Sequence, residues 1–120
     1  MTVKVLLVDD SRVSRMGLKK AIKGVSQEFE ISEAENADVA EAYLQDNTAD
    51  IALIDFNMPG RNGLELVEAI IGQHPDMKYV LVTANIQTSI QEKAKGLGVE
   101  FVGKPVNASQ LAEVIGGFCD

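Results

Sequence analysis

Five polar side chains stand directly after short aliphatic runs, where the strands of a parallel sheet would end. They are Asp9, Asp10, Asp55, Thr83 and Lys104. Clustered carboxylates repel one another, so a cation has to compensate them, and Mg²⁺ prefers oxygen ligands of this kind. A metal ion, an ammonium and a hydroxyl around a carboxylate describe a phosphoryl-transfer site in which the carboxylate is the nucleophile.

Each of these residues also has an ordinary structural explanation when it is taken alone. An acid pair after a strand often caps the next helix, as Asp9 and Asp10 could do. Thr83 could simply end a strand, and Lys104 could be a solvated lysine. Only their coincidence at one edge of a sheet favours the functional interpretation.

The apolar runs predict five strands. Val3–Val8, Ile51–Ile54 and Tyr79–Val82 are nearly continuous aliphatic runs, which are typical of strands covered on both faces. Phe29–Ala34 alternates and Val99–Val102 contains an acid, so both suit edge strands.

Helical periods with start signals separate these strands. The predicted helices cover Ser11–Lys23, the segments that follow the cap candidates Asn36, Asn62 and Asn107, and residues 86–97. The fourth helix has only a narrow apolar row, formed by Ile86, Ile90, Ala94 and Leu97. Because so little apolar area docks weakly, we expect this helix to be able to shift.

Strands that alternate with helices predict right-handed crossovers and a three-layer α/β fold. With strands one, three and four central, the fold is a (βα)₅ doubly wound parallel sheet of order 2-1-3-4-5, the flavodoxin-like winding. Ligands bind such sheets at the carboxyl ends of the strands, beside the reversal of strand order between strands one and three. The five polar side chains are therefore expected to meet there.

Composition narrows the possible classes of partner. The chain has 120 residues, enough for one domain over residues 1–120, with 46% hydrophobic and 24% charged residues. A net charge of −7 argues against nucleic acid or an anionic membrane as the main partner. The single cysteine, Cys119, cannot form an internal disulfide, which predicts a cytoplasmic protein.

The sequence resembles, over its whole length, the receiver domains of two-component response regulators, the CheY-like superfamily. The matching segments are Val8–Ser11, Leu53–Gly60, Val82–Ala84 and Lys104-Pro105. The resemblance implies a signalling switch that accepts a phosphoryl group from a histidine kinase or histidine phosphotransfer protein. It implies no ordinary turnover enzyme, since such domains catalyse their own phosphorylation and dephosphorylation.

The resemblance also implies a role for each matching side chain. Asp55 would accept the phosphoryl group, and Lys104 would bridge to the phosphoryl oxygens. Asp10 would bind Mg²⁺ directly, Asp9 mainly through water and Asn57 through its backbone carbonyl, and Asp55 would be a further metal ligand.

Further positions are implied as switch residues or as neighbours of the phosphoryl group. Thr83 would swing to hydrogen-bond the phosphoryl group, and Phe101 would be the switch aromatic, although a packed edge-strand aromatic is the ordinary alternative. The neighbours are Met58, Ala84, Asn85 and Pro105.

Two partner surfaces follow from the resemblance. The first helix and the active-site loops would dock the histidine-bearing protein, and helix four, strand five and helix five would contact a downstream effector. Four basic residues on the first helix follow 3-4-4 spacing and predict an exposed docking face, unless they only solubilise the surface. They are Arg12, Arg15, Lys19 and Lys23.

The kind of output stays open. A chain that acts alone would signal by binding a partner, as in chemotaxis or a phosphorelay, whereas a receiver cut from a longer regulator would control an attached domain. We expect a monomer, because the fifth helix carries only one charged residue, Glu113, for a complementary dimer contact.

Two other classes of protein remain as alternatives. A flavodoxin holds a phosphate dianion in a Ser/Thr/Gly-rich first loop, which Asp9 and Asp10 would repel. A haloacid-dehalogenase-type phosphatase needs an Asp-x-Asp pair, but Asn57 stands two residues after Asp55.

Overall fold

Five strands and five helices alternate along the chain. The computed structural model describes residues 3–24, 28–84, 87–104, 106 and 108–119, and within the last helix the side chains of residues 109–114. The strands are β1 Val3–Val8, β2 Phe29–Ala34, β3 Ile51–Ile54, β4 Lys78–Thr83 and β5 Glu100–Gly103. The helices are α1 Arg12–Lys23, α2 Ala37–Asp46, α3 Gly63–Ile70, α4 Thr88–Gly96 and α5 Ala108–Cys119.

The strands form one parallel sheet in the order β2-β1-β3-β4-β5, so the predicted winding is confirmed. The two segments predicted as edge strands are the edges. The bounds of β4 and β5 differ by one residue at each end from the apolar runs, because strand pairing continues past the aliphatic residues: Ile51 pairs with Lys78, and Thr83 pairs with Gly103.

Two apolar clusters cover the two faces of the sheet and make the fold three layers thick. In β1, Leu6 and Val8 belong to the cluster with α2, α3 and α4, whereas Val5 and Leu7 belong to the cluster with α1 and α5. Successive side chains of a strand point to opposite faces, so a continuous aliphatic run serves both clusters. Within the described residues, no helix is long and apolar enough to cross a membrane.

Side-chain caps fix where the helices begin. Ser11 caps α1, Asn36 caps α2, and Asn62 forms a capping box with Glu65 at the start of α3. The predicted cap at Asn107 lies outside the described residues.

Helix α4 buries few side chains, as its sequence predicted. It begins at Gln87 without a side-chain cap, and among its described residues only Ile90 and Ala94 are buried. Ile86, predicted to begin its apolar row, lies outside the described residues. Few buried contacts give α4 a lower local stability than the helices that insert more side chains into the core.

Strand register brings the polar residues together. Val8 pairs with Ile54, and the Asp55 N–H donates to the Val8 carbonyl at 2.8 Å, so Asp9 and Asp55 leave the sheet side by side. On the other side of β3, the Lys104 N–H donates to the Thr83 carbonyl at 2.9 Å. Backbone pairing in the sheet thus places the site residues next to one another, independently of their side-chain contacts.

Gly63 allows α3 to approach the end of β3 closely. A Cβ at this position would lie 2.4 Å from the Asp55 carbonyl oxygen and 3.0 Å from side-chain atoms of Ile54 and Leu81. A methyl group has no room there, so a larger residue would displace either α3 or the backbone of Asp55. By contrast, a Cβ at Gly17 in α1 would meet no described atom within 4 Å.

Replacing these two helix glycines by alanine should have opposite effects on stability. We expect Gly63→Ala to lower the free energy of unfolding by about 1–3 kcal/mol through overpacking. Gly17→Ala, the matched control, should raise it by about 0.5–1 kcal/mol, since alanine loses less backbone entropy in a helix. Urea unfolding of both variants measures the difference, and equal stability of the Gly63 variant and the natural protein would contradict the close-approach argument.

Candidate functional site

Three carboxylates meet at the carboxyl end of the sheet, as the strand pattern predicted. One oxygen each from Asp9, Asp10 and Asp55 lies within 4.8 Å of the others. Asp9 is 1% exposed and Asp55 is 7% exposed, whereas Asp10 is open to solvent. Buried charges require compensating partners, so the contacts of the two buried acids define the site.

Asp9 receives hydrogen bonds on both carboxylate oxygens. Its Oδ1 accepts from the Ser11 N–H at 2.8 Å. Its Oδ2 accepts from the Ser14 hydroxyl at 2.6 Å and from Lys104 Nζ at 2.9 Å. These donors stabilise an ionised Asp9 in a place that water hardly reaches.

Lys104 lies between the two buried acids and is closer to Asp9. Its Nζ is 3.7 Å from Asp55 Oδ2, which is an ion pair but too long for a hydrogen bond. The same nitrogen donates to the Ser14 hydroxyl at 2.7 Å. The sequence predicted a lysine facing Asp55; the structure brings it there but gives its hydrogen bonds to Asp9 and Ser14.

Burial dominates the electrostatics of Asp55. It raises the pKa of the Asp55 carboxyl above its usual value, against the opposing effect of the Lys104 charge and with a contribution from the charge of Asp9. Hydrogen bonds from the Asn57 N–H and the Thr83 side chain act in the other direction by stabilising the carboxylate. Of the two buried acids, Asp55 is therefore the one that protein contacts compensate less completely.

The two residues implied as a switch lie on neighbouring strands of the sheet, Thr83 at the end of β4 and Phe101 on β5. Thr83 is fully buried, and its side chain already hydrogen-bonds the unmodified Asp55, so the implied inward swing is not needed for this contact. Phe101 is half-buried on β5 opposite Leu81 and packs against the cluster under α4. With α4 it lines a cavity of about 580 Å³.

The other residues predicted to lie around the phosphoryl site differ in how exposed they are. Asn57 is exposed in the β3–α3 loop, Met58 is buried in the core, and Ala84 is exposed beside a second cavity of about 410 Å³ that Lys104 also lines. Asn85 and Pro105 lie outside the described residues.

Two site residues were not singled out from the sequence for contacts with Asp9. Ser14 bonds its carboxylate, and the Arg15 guanidinium donates to its backbone carbonyl oxygen. The available signal was their position in the first turn of the helix that follows the acid pair. A serine or arginine there is also common as an exposed helix residue, so spacing alone did not identify them.

Two of the four basic residues in the predicted docking face of α1 form ion pairs within the protein. Arg15 and Lys19 form ion pairs with Glu33 of β2 at 2.9 and 3.1 Å, and the Arg15 side chain is only 14% exposed. The Lys19 hydrogen bond, supported by Arg15, lowers the pKa of Glu33 despite partial desolvation. A neighbouring strand supplies the acid that pairs with both residues, and Lys19 stays 35% exposed, so docking through them remains a prediction.

The exposed face of α1 has a different composition. Val13 is 79% exposed and Met16 is 58% exposed, and the charged residues beside them are Arg12 and Lys20. This surface, which we call the α1 face and define by these four residues, is mixed apolar and basic.

The fold and the site together define a doubly wound α/β protein with a carboxylate cluster and a lysine at the reversal of strand order. Residues 5–116 match the family model of the response regulator receiver domain, and the chain belongs to that family of two-component signalling proteins. This membership decides against the flavin-binding and phosphatase alternatives.

Relatives of the chain include proteins of different architecture. It is 35% identical over 108 residues to a cyclic di-GMP phosphodiesterase of Thermotoga maritima, covering 89% of this chain and 28% of that protein. It is 30% identical over 115 residues to the chemotaxis protein CheY of Listeria monocytogenes, covering 94% and 95% of the two chains. The chain spans less than half the length of several curated relatives that it matches.

A solved structure confirms the fold assignment. The CheY-like receiver domain protein of Methanospirillum hungatei superimposes with a TM-score of 0.85 and 27% identity, covering 98% of this chain and 93% of that one. The predicted family and fold class are therefore both confirmed.

The raised pKa of Asp55 predicts a pH-dependent effect of Asp55→Asn on stability. An acid whose pKa is higher in the folded state favours folding below its unfolded pKa and loses that contribution as the pH rises through its folded pKa. In metal-free buffer we therefore expect Asp55→Asn to raise the Tm at pH 7, with a smaller gain near pH 4. Thermal unfolding across this range measures the effect.

The exposed Asp76→Asn provides the control and should show no such trend. A Tm for Asp55→Asn below that of the natural protein at pH 7, or a gain that does not change with pH, would contradict the assignment of burial as the dominant effect.

Proposed function

We propose that this domain is a reversible phosphorylation switch in which Asp55 accepts a phosphoryl group in the presence of Mg²⁺. The observation that carries the proposal is the cluster of three carboxylates within 4.8 Å, with the Lys104 ammonium beside the two buried members. A purely structural site would gain nothing from two acids buried side by side, since removing water from charges is costly.

The donor set fits a hard divalent cation. Three carboxylates carry three negative charges and Lys104 carries one positive charge, so a dication balances the remainder. Both oxygens of Asp9 already accept hydrogen bonds from the protein, which favours contact with the metal through water. Asp10 is exposed and suits direct ligation, and Asn57 would add its backbone carbonyl.

Bound Mg²⁺ would supply positive charge to the phosphoryl oxygens. Residues of the chain would position the Asp55 carboxylate and bind the phosphoryl group. The Asn57 N–H and the Thr83 side chain hold the Asp55 carboxylate in place, and Lys104 reaches a phosphoryl oxygen by a small rotation from its 3.7 Å position. Thr83, which hydrogen-bonds Asp55, would turn its hydroxyl to the phosphoryl group when that group arrives.

Atoms and charge balance in both directions of the switch. A carboxylate oxygen of Asp55 attacks the phosphorus of a phosphohistidine, an O–P bond forms, and the N–P bond breaks. The electron pair stays on the imidazole nitrogen, which takes up a proton. Dephosphorylation is a different reaction: water attacks the phosphorus, the bond between phosphorus and the Asp55 oxygen breaks, and inorganic phosphate leaves with both water protons while Asp55 returns to a carboxylate.

Labelling by acetyl phosphate tests the identity of the acceptor. We expect a Mg²⁺-dependent mass gain of one phosphoryl group in the natural protein and none in Asp55→Asn, because an amide is not a nucleophile of this kind. Intact-protein mass spectrometry measures the gain. Asp76→Asn, the exposed control, should label normally, and undiminished labelling of Asp55→Asn would contradict the proposal.

The surface of α4, β5 and α5 is the proposed output. Helix α4 is held by few buried side chains, and the cavity of about 580 Å³ between α4 and β5 contains Phe101. Thr83 lies next to Asp55 at the end of β4 and therefore links the phosphoryl site to this surface. Phosphorylation would shift the population between two packings of α4, which a downstream effector distinguishes.

The α1 face is the proposed docking site for the histidine-bearing protein. Other residues of the same helix lie near Lys104: Ser14, Gly17 and Leu18 line a cavity of about 410 Å³ together with Lys104 and Val106. The exposed Val13 and Met16 of the α1 face offer apolar contact, which adds to the basic contact expected from the sequence. Arg12 and Lys20 would still favour encounter with an acidic partner.

Replacing Met16 by serine should separate docking from chemistry. We expect Met16→Ser to slow phosphotransfer from the cognate kinase about tenfold, the loss that ~1.4 kcal/mol of apolar contact gives. Labelling by acetyl phosphate should not change, because the site is intact. Phosphotransfer kinetics with radiolabelled kinase measure the first rate.

Val39→Ser is the matched control, since Val39 is an exposed aliphatic residue on α2. It should leave both rates unchanged. Equal slowing of kinase and acetyl phosphate reactions in Met16→Ser would show damage to the site and overturn the docking proposal.

The lengths of two relatives correspond to two ways in which the switch would produce its output. CheY of Listeria has nearly the same length as this chain, whereas the Thermotoga phosphodiesterase is several times longer. The switch would act through partner binding in the first arrangement and on an attached domain in the second. The proposed chemistry at Asp55 is the same in both.

A further inference from the structure

A closed set of hydrogen bonds joins Ser14, Asp9 and Lys104. The Ser14 hydroxyl donates to Asp9 Oδ2 at 2.6 Å and accepts from Lys104 Nζ at 2.7 Å. Lys104 Nζ also donates to the same Asp9 oxygen at 2.9 Å. A hydroxyl has one proton and free lone pairs, so the three directions are compatible. Each bond involves a charged group, which makes it stronger than a neutral one.

Ser14 is held firmly in this position. It lies in the first turn of α1, where its N–H donates to the Ser11 side chain at 3.2 Å. The helix itself is anchored by Leu18 and Ile22, which are buried in the core. The Ser14 backbone is therefore fixed, and its hydroxyl oxygen can move only by rotation about the Cα–Cβ bond if Lys104 moves.

The proposed function requires Lys104 to move. Its Nζ is 3.7 Å from Asp55 Oδ2, beyond hydrogen-bond distance, and it would turn towards phosphoryl oxygens on Asp55. Turning in that direction weakens the bonds to Ser14 and Asp9, because the ammonium has only three N–H groups to distribute. The resting contacts of Lys104 thus compete with its contacts in the phosphorylated state.

We propose that Ser14 is a positioning residue that holds the Lys104 ammonium on Asp9 and so opposes its transfer to a phosphoryl group on Asp55. This proposal rests on the proposed function and adds a residue that sets the balance of the switch. The hydroxyl stabilises the resting arrangement on both sides, by donating to the acid and by accepting from the lysine. Its removal favours the phosphorylated arrangement.

Beryllofluoride, a phosphoryl mimic, provides the test in the presence of Mg²⁺. We expect Ser14→Ala to bind beryllofluoride about ten- to a hundredfold more tightly than the natural protein, as loss of a bond to a charged group implies. Ser14→Thr keeps the hydroxyl and should bind as the natural protein does. Ser109→Ala, at an exposed serine of α5, is the matched control and should show no change.

A second measurement uses the metal-free protein. The ¹⁵N signal of the Lys104 ammonium should be protected from water exchange in the natural protein and in Ser14→Thr. It should exchange faster in Ser14→Ala, since one of its hydrogen-bond partners is gone. A general loss of structure would not select this lysine over the others.

Two outcomes would overturn the proposal: unchanged or weaker beryllofluoride binding in folded Ser14→Ala, or the same gain in Ser14→Thr. If the natural protein does not bind beryllofluoride with Mg²⁺, the proposed function fails. The metal-free lysine signal then still decides whether Ser14 holds Lys104, so the two failures are distinguishable.

Discussion

The ion pair between Lys104 and the buried Asp9 is the interaction on which the site depends. Two carboxylates that leave a sheet side by side would repel each other strongly in a place with little water. Lys104 supplies the compensating charge at 2.9 Å from Asp9 and 3.7 Å from Asp55. The unequal distances leave Asp55 less compensated than Asp9, which suits Asp55 to gain a further cationic partner.

The fold brings together charged residues that are far apart in the sequence. Lys104 and Asp9 are 95 residues apart and meet because β1, β3, β4 and β5 lie next to each other in the sheet. The close approach of α3 at Gly63 fixes the backbone of Asp55 from the other side. A change in strand register or in this helix contact would therefore alter the site without touching any charged side chain.

Much of the fold and the candidate site could be predicted from the sequence, because both follow from local patterns. Aliphatic runs give the buried strands, and Asn36 and Asn62 mark helix starts by chemistry that acts over three residues. The acids and the lysine stand at strand ends, so the topology alone places them together. These features need no knowledge of side-chain packing.

The contacts that could not be predicted are pairings between distant elements. Arg15 and Lys19 have the spacing of an exposed basic face, but both pair with Glu33 on β2, and Arg15 is only 14% exposed. Ser14 looks like an ordinary helix residue until the sheet brings Lys104 to it. Helical spacing predicts which residues share a face. Only the tertiary structure decides which charged residue of a neighbouring strand lies next to that face.

Mg²⁺ binding tests most directly the claim that the acid cluster is a cation site balanced by Lys104. Calorimetry should show that Asp10→Ala loses most of the affinity of the natural protein, because the exposed ligand is gone. Lys104→Met should bind Mg²⁺ more tightly, because a competing positive charge is removed. Equal affinity in all three proteins would contradict the account.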